Sequence, residues 1–190
     1  MSPVEIIGAL TGLIAVGLTV RQSAWSWPIG LTSSAAYVFV FFEAKFYSDV
    51  VLQGYFIATG LMGWWRWARP TGEGGVALDK LPVTRASIGE LLAAGAIVGV
   101  VVGVWGSALA RSTEAAFPYL DAATMAASLV AQWWMTKKVL ESWVIWIVAD
   151  VVMVGMYATK DLQVTAALYA VFTLLAVAGL RAWWRDWAAT

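Results

Sequence analysis

Cysteine and histidine are absent from the 190 residues. Without cysteine there is no disulfide, no thiolate metal site and no thiol nucleophile, and the redox state of the compartment leaves no mark on the chain. Without histidine the commonest metal ligand and the commonest general base are missing too. Charge is also scarce. Asp, Glu, Lys and Arg together make up 13%, with twelve basic residues balancing twelve acidic ones. A nucleic-acid binder needs a clustered basic face, and this balance gives no electrostatic case for one. The sequence therefore offers no catalytic residues, no metal site, no cofactor motif and no nucleic-acid partner. An enzyme built here would need a nucleophile with its base, or a ligand set, and neither is present.

What the chain has in excess is apolar surface. Hydrophobic residues make up 61% and the mean hydropathy is +0.75, more than a soluble domain of this length can hide in a core. Lipid is the natural solvent for it. The start, MSPVEIIGAL, lacks the basic region of a signal peptide, so the first apolar run reads as a retained helix. With about 20 residues needed per crossing, seven segments qualify: Pro3 to Val20, Trp25 to Phe42, Ser48 to Trp67, Ala86 to Ala110, Asp121 to Met135, Leu140 to Thr159 and Leu162 to Trp184. The expected fold is an all-α integral membrane protein with seven transmembrane helices. Between the third and fourth helices, Ala68 to Arg85 carries Pro70, Gly72, Gly74, Gly75 and Pro82 and reads as a hydrophilic surface loop. Lys45, Arg111 and Lys160 fall on the side of the N-terminus and the other nine Lys and Arg on the opposite side. The positive-inside rule then puts the N-terminus outside and the C-terminus in the cytoplasm, which seven crossings allow.

The chain also repeats itself. An offset of 116 residues aligns Leu13 with Leu129, Arg21 with Lys137, Ser26 with Ser142, Trp27 with Trp143 and Val38 with Val154 without a gap. Small slips then bring Tyr55 to Tyr169 and the Trp64, Trp65, Arg66, Trp67 ending of the third helix to Trp183, Trp184, Arg185 and Trp187. Two triplets in the same order, separated by a single helix, must cross the membrane in the same direction. The expected architecture is 3+1+3 with parallel repeats, divided as residues 1–67, a cytoplasmic loop 68–85, a connector 86–118 and a second repeat 119–190. In transporters built this way the substrate sits between the halves near the bilayer midplane.

Asp150 is the residue that most needs a reason. It stands in the apolar run ESWVIWIVADVVMVGMY, where a carboxylate at mid-helix costs about 2.5 to 3.5 kcal/mol on insertion scales. It shares one helical face with Trp143, Trp146, Met153 and Tyr157. The functional reading is a contact to a cationic or polar ligand, with the indoles of Trp143 and Trp146 sandwiching a flat ring. The alternatives are a helix-to-helix hydrogen bond for Asp150 and an interfacial aromatic belt for the tryptophans. That belt is the reading given to Trp64, Trp65, Trp67, Trp183, Trp184 and Trp187. Asp121, Thr124, Ser128 and Gln132 form a polar stripe on the fifth helix that either faces a cavity or packs the bundle. Gln53, Tyr55 and Tyr169 are further candidates. Ser34 occupies the repeat position of Asp150, which predicts a lopsided site. Pro28 and Gly30 read as a helix start or a hinge, and Glu141 with Lys137 or Lys138 as a solvated loop pair.

These motifs resemble the PnuC family of bacterial vitamin transporters. The likeness rests on Trp27-Pro28-x-Gly30, Tyr47-x-Asp49 leading to Gln53, Gly63-Trp64-Trp65-x-Trp67, Ser128-Leu129 with Gln132 and Met135, and Trp143-x-x-Trp146. It covers nearly the whole chain. What the resemblance implies is a fold related to the SWEET transporters and facilitated uptake of nicotinamide riboside across the inner membrane, with no ion coupling. A cytoplasmic kinase then traps the substrate by phosphorylation. It also implies a homotrimer, and it places Trp143 and Trp146 at the substrate with Gln132 beside them. Some members carry asparagine where this chain has Asp150. Relatives that carry thiamine or riboflavin keep the identity of the vitamin open, as does the alternative of a non-transporting membrane scaffold.

Overall fold

The computed structural model describes residues 2–43, 47–70, 80–112, 117–159 and 163–189, without the side chains of 47–49. They form seven helices: α1 Pro3–Val20, α2 Ser26–Glu43, α3 Tyr47–Ala68, α4 Ile88–Ser112, α5 Pro118–Thr136, α6 Glu141–Ala158 and α7 Gln163–Ala188. Local chemistry marks several starts. Ser2 and Glu5 form a capping box on α1 with Pro3 in its first turn, Ser87 and Glu90 form the same box on α4, and Pro118 opens α5. A π-helical stretch, Val102–Gly106, interrupts α4. There Gly106 lies against Tyr119, whose ring a Cβ would meet at 2.6 Å. Pro28 sits inside the first turn of an unbroken α2, so it starts the helix and does not hinge it.

Four helices, α1, α4, α6 and α7, are long and apolar enough by composition to cross a bilayer. The remaining three carry more polar residues, of which Ser26, Thr59, Thr124 and Ser128 are buried. Six helices close a ring: α1 packs on α2, α2 on α3, α3 on α5, α5 on α6, α6 on α7 and α7 on α1. The connector α4 stands outside this ring against α5 and buries none of the residues in its apolar window. Its Leu92 and Val100 face outward, as lipid-solvated side chains do.

The two triplets meet at two equivalent seams, α1 against α7 and α3 against α5. At one end of the ring they are joined by tryptophans. Trp27 meets Trp67 edge to face at 5.3 Å, Trp143 meets Trp183 in the same way at 5.3 Å, and Trp67 touches Trp183 at 5.7 Å. The pairs are related by the 116-residue offset with no slip. So are Gly63 and Gly179, on which Trp27 and Trp143 pack so closely that a Cβ would lie 2.4 to 2.5 Å from the indole. This corrects two expectations. Trp67 and Trp183 are 6% and 0% exposed, core residues and not belt residues, whereas Trp64, Trp65 and Trp184 do face outward. Helical spacing turns one tryptophan of each cluster inward. The slipped alignment at this end gives way to Trp67 with Trp183.

The end of the linker packs on the bundle while staying largely at the surface. Residues 80–86 form a strap against the α5–α6 turn: the Thr84 amide donates to the Lys138 carbonyl at 3.0 Å, and the Leu140 amide donates to the Thr84 carbonyl at 2.9 Å. Val83 is buried. Glu141 pairs with Arg85 and accepts from the Ala86 amide, while Lys137 reaches Glu90 at 3.7 Å, so the expected Glu141 pairing with a neighbouring lysine does not form. Residues 71–79 of the linker lie outside the described residues.

Candidate functional site

The ring encloses a cavity of about 270 Å³. Its walls follow from the repeat. Trp27, Gly30 and Ser34 on α2 face it from one side, and Trp143, Trp146 and Asp150, each 116 residues later, face it from α6. The spacing 27, 30, 34 keeps three positions on one helical face, so the equivalent face recurs on α6. The chemistry does not recur. Gly30 stands where α6 has the Trp146 indole, and Ser34 stands where α6 has a carboxylate. One wall supplies space and the other supplies an aromatic plate and a charge.

Asp150 is 6% exposed, and no described residue gives its carboxylate a hydrogen bond or an ion pair. A carboxylate in the middle of a bilayer-spanning bundle is costly unless compensated. Its position on the cavity wall makes a cationic or hydrogen-bond-donating solute the natural compensation. Gln132 lines the cavity from α5 with its carboxamide free of hydrogen bonds to described residues. Phe56 and Phe172, again 116 apart, line it from α3 and α7. One carboxylate, one amide and several aromatic surfaces make a site for a small flat solute bearing polar groups, in keeping with ligand pockets in general.

Ring, repeat and cavity together span almost the entire chain, and so does the match of a family model described as nicotinamide mononucleotide transporter, which covers residues 2–185. The chain belongs to this family. It is a multi-pass membrane transporter for a vitamin-type small molecule. The chain is 25% identical to the nicotinamide riboside transporter PnuC of Escherichia coli K12, over 96% of this chain and 85% of that one. It is 27% identical to the riboflavin/roseoflavin transporter RibM of Streptomyces davaonensis, over 95% and 84% of the two chains. In fold it is similar to the crystal structure of the vitamin B3 transporter PnuC, with a TM-score of 0.75 and 21% identity over 98% of this chain and 82% of that one.

Within this family member, the residues singled out from sequence divide. Trp143, Trp146, Asp150, Gln132 and Tyr169 line the cavity. Tyr157 does not; it stacks behind Tyr169 at 5.3 Å. Ser128 is buried, but its hydroxyl donates to the Thr124 carbonyl at 2.8 Å, and Thr124 in turn bonds back to Leu120 and Asp121. Such back-bonding satisfies hydroxyls within their own helix, so the polar stripe reaches the cavity only at Gln132. Gln53 is half-buried on α3 and not on the cavity wall. Tyr55, aligned by slip with Tyr169, instead donates across the α3–α5 seam to the Leu129 carbonyl at 2.9 Å. At the constant offset the partner of Tyr169 is Gln53.

Trp143 is held more rigidly than a stacking plate needs to be. It is 1% exposed, wedged between Gly179 and Trp183, and only part of its edge meets the cavity. Trp146, half-buried, has the freer face. Sequence reasoning did not select Trp27, Gly30, Phe56 or Phe172 for the site. The signal was present in the offset, which pairs each of them with another lining residue.

Proposed function

We propose that this transporter carries nicotinamide riboside into the cell by facilitated diffusion, with Asp150 set against the positive charge of the pyridinium ring. The observation that carries this reading is the Asp150 carboxylate on the cavity wall, unpaired among the described residues. Trp146 offers a flat face to an aromatic cation, and Gln132 offers a carboxamide to the carboxamide or a ribose hydroxyl. The cavity volume of about 270 Å³ lies just below the range of about 300 to 1,000 Å³ for small-molecule pockets. That size suits a single-ring nucleoside better than a three-ring flavin. The names of the PnuC relatives point the same way.

Thiamine, a second flat cation, satisfies the same charge argument, and the likeness to RibM makes riboflavin the neutral comparison. Thermal shifts of the purified protein with each of the three decide among them. Stabilisation by nicotinamide riboside is expected; stabilisation by thiamine alone or riboflavin alone overturns the assignment. The nine-to-three distribution of basic residues supports an inner-membrane orientation with the N-terminus outside and the C-terminus in the cytoplasm. Trapping by a cytoplasmic kinase and assembly as a homotrimer complete the proposal. A mass measurement in detergent tests the latter.

A further inference from the structure

Where α1, α3, α5 and α7 end, the halves are tied together by residues that the cavity chemistry leaves unused. The α1–α2 and α5–α6 turns each hold one non-glycine residue in the left-handed region, Gln22 at φ 57° and Lys138 at φ 53°, and the two are 116 positions apart. Glycine takes this conformation without strain and a residue with a Cβ does not, so the long side chains have a use here. Lys138 Nζ donates across the gap between the halves to Gln22 Oε1 at 3.0 Å and to the Leu81 carbonyl at 2.9 Å, and it lies 4.7 Å from the centre of the Trp67 ring. Gln22 Nε2 donates to Asp186 Oδ2 at 3.0 Å, which Lys80 also holds at 2.9 Å. The strap, both repeat turns and the last turns of α7 thus converge on one point.

Against this point rests a reciprocal brace. Trp183 Nε1 donates to the Thr19 carbonyl at 3.2 Å, and Trp67 Nε1 donates to the Thr136 carbonyl at 3.3 Å. Each indole belongs to one half and its acceptor to the other. Thr19 and Met135 line the cavity, so this layer is the cavity wall at that end. Lys138 is 1% exposed, yet its hydrogen-bond acceptors are an amide and a carbonyl, not a carboxylate. A buried charge compensated by neutral groups is a poorly settled contact.

We propose that Gln22, bridged across the halves to Lys138 and Asp186, closes this end of the cavity and lets go when the transporter opens there, with the buried Lys138 ammonium opposing that closure. The inference rests on the cavity being the transport route. With no native cysteine, Thr19→Cys gives a single thiol on the cavity wall beside the bridge, and Ala189→Cys marks the face on which α7 ends. Vesicles of both orientations are treated with a membrane-impermeant maleimide. From the Ala189 face, Gln22→Ala is expected to speed Thr19→Cys labelling about a hundredfold, the size of two lost hydrogen bonds to charged groups. Lys138→Met is expected to slow it, because it removes the buried charge and leaves Gln22 bonded to Asp186. A part that is merely structural moves both variants in one direction or neither, and either result overturns the proposal, as does a change in only one variant. If saturating nicotinamide riboside fails to slow labelling of Thr19→Cys in the otherwise unaltered chain, the failure lies with the transport route and not with the bridge.

Discussion

Replacing Gly179 with alanine tests how tightly the tryptophan layer is built. The new Cβ would stand 2.5 to 2.6 Å from three atoms of the Trp143 indole, against an ordinary carbon–carbon contact of about 3.5 to 4.0 Å. The ring must therefore withdraw by roughly 1 Å. Behind it stands Trp183, fully buried at 5.3 Å and anchored through its Nε1 to Thr19. Overpacking of this kind costs about 1 to 3 kcal/mol, and the better helix propensity of alanine returns about 1 kcal/mol. The net loss is about 1 kcal/mol, or a fall of about 2 to 4 °C in the unfolding midpoint of a chain of this length. Differential scanning fluorimetry in detergent reads it directly. Gly63→Ala, the equivalent position under Trp27, should cost the same. Gly95→Ala and Gly99→Ala on α4 have nothing within 4 Å of the added carbon, so they should gain stability. If Gly179→Ala also gains, the close packing of indole on glycine is refuted as a structural element.

Asp150→Asn should weaken binding of nicotinamide riboside about ten- to a hundredfold, the loss of one charge-assisted contact, while leaving riboflavin unchanged in the same calorimetric titration. Trp146→Ala should cost about tenfold in affinity, as for one aromatic stack, with little change in midpoint. Trp143→Ala should instead destabilise by about 3 to 5 kcal/mol, the range for a buried large aromatic. Burial first and Lys80 on the strap second lower the Lys138 ammonium to about 8, with Asp186 on α7 opposing them. Opening to water restores the ordinary lysine value of 10.5. The open form therefore binds the proton more tightly, and rising pH favours the closed form. Labelling of Thr19→Cys from the Ala189 face, taken relative to that of Ala189→Cys so that ionisation of the thiol itself cancels, should slow as pH climbs through 8 towards 10.5, and Lys138→Met should abolish the step.

Much of this was legible before any coordinates. Seven apolar segments give seven helices because a bilayer imposes one length on all of them. Asp150 announced itself because a carboxylate in that run has no cheap explanation. The 116-residue offset locates the second half, although the tryptophan patterns ending α3 and α7 suggest a slip that their geometry does not show. Less could be read where one residue type serves two ends. A tryptophan beside an arginine looks like a belt residue whether it points out, as Trp184 does, or in, as Trp183 does. A serine or threonine on a polar stripe looks like a ligand whether it faces a cavity or its own carbonyls, as Ser128 does. Nor does composition reveal that Gln22 and Lys138, in two ordinary-looking turns, reach each other across the gap between the halves.

The ring has one more consequence. Its two seams are the same interface made twice, so it amounts to a dimer of three-helix units written into one gene. In a true dimer every substitution arrives in duplicate, and an acid on the α6 face would bring its own copy to the opposite wall, two like charges confronting each other over one solute. The covalent link through α4 removes that constraint. It lets one half keep Gly30 and Ser34 while the other acquires Trp146 and Asp150, so the helix that touches neither cavity nor seam is the one that allows the solute to be met by unlike walls.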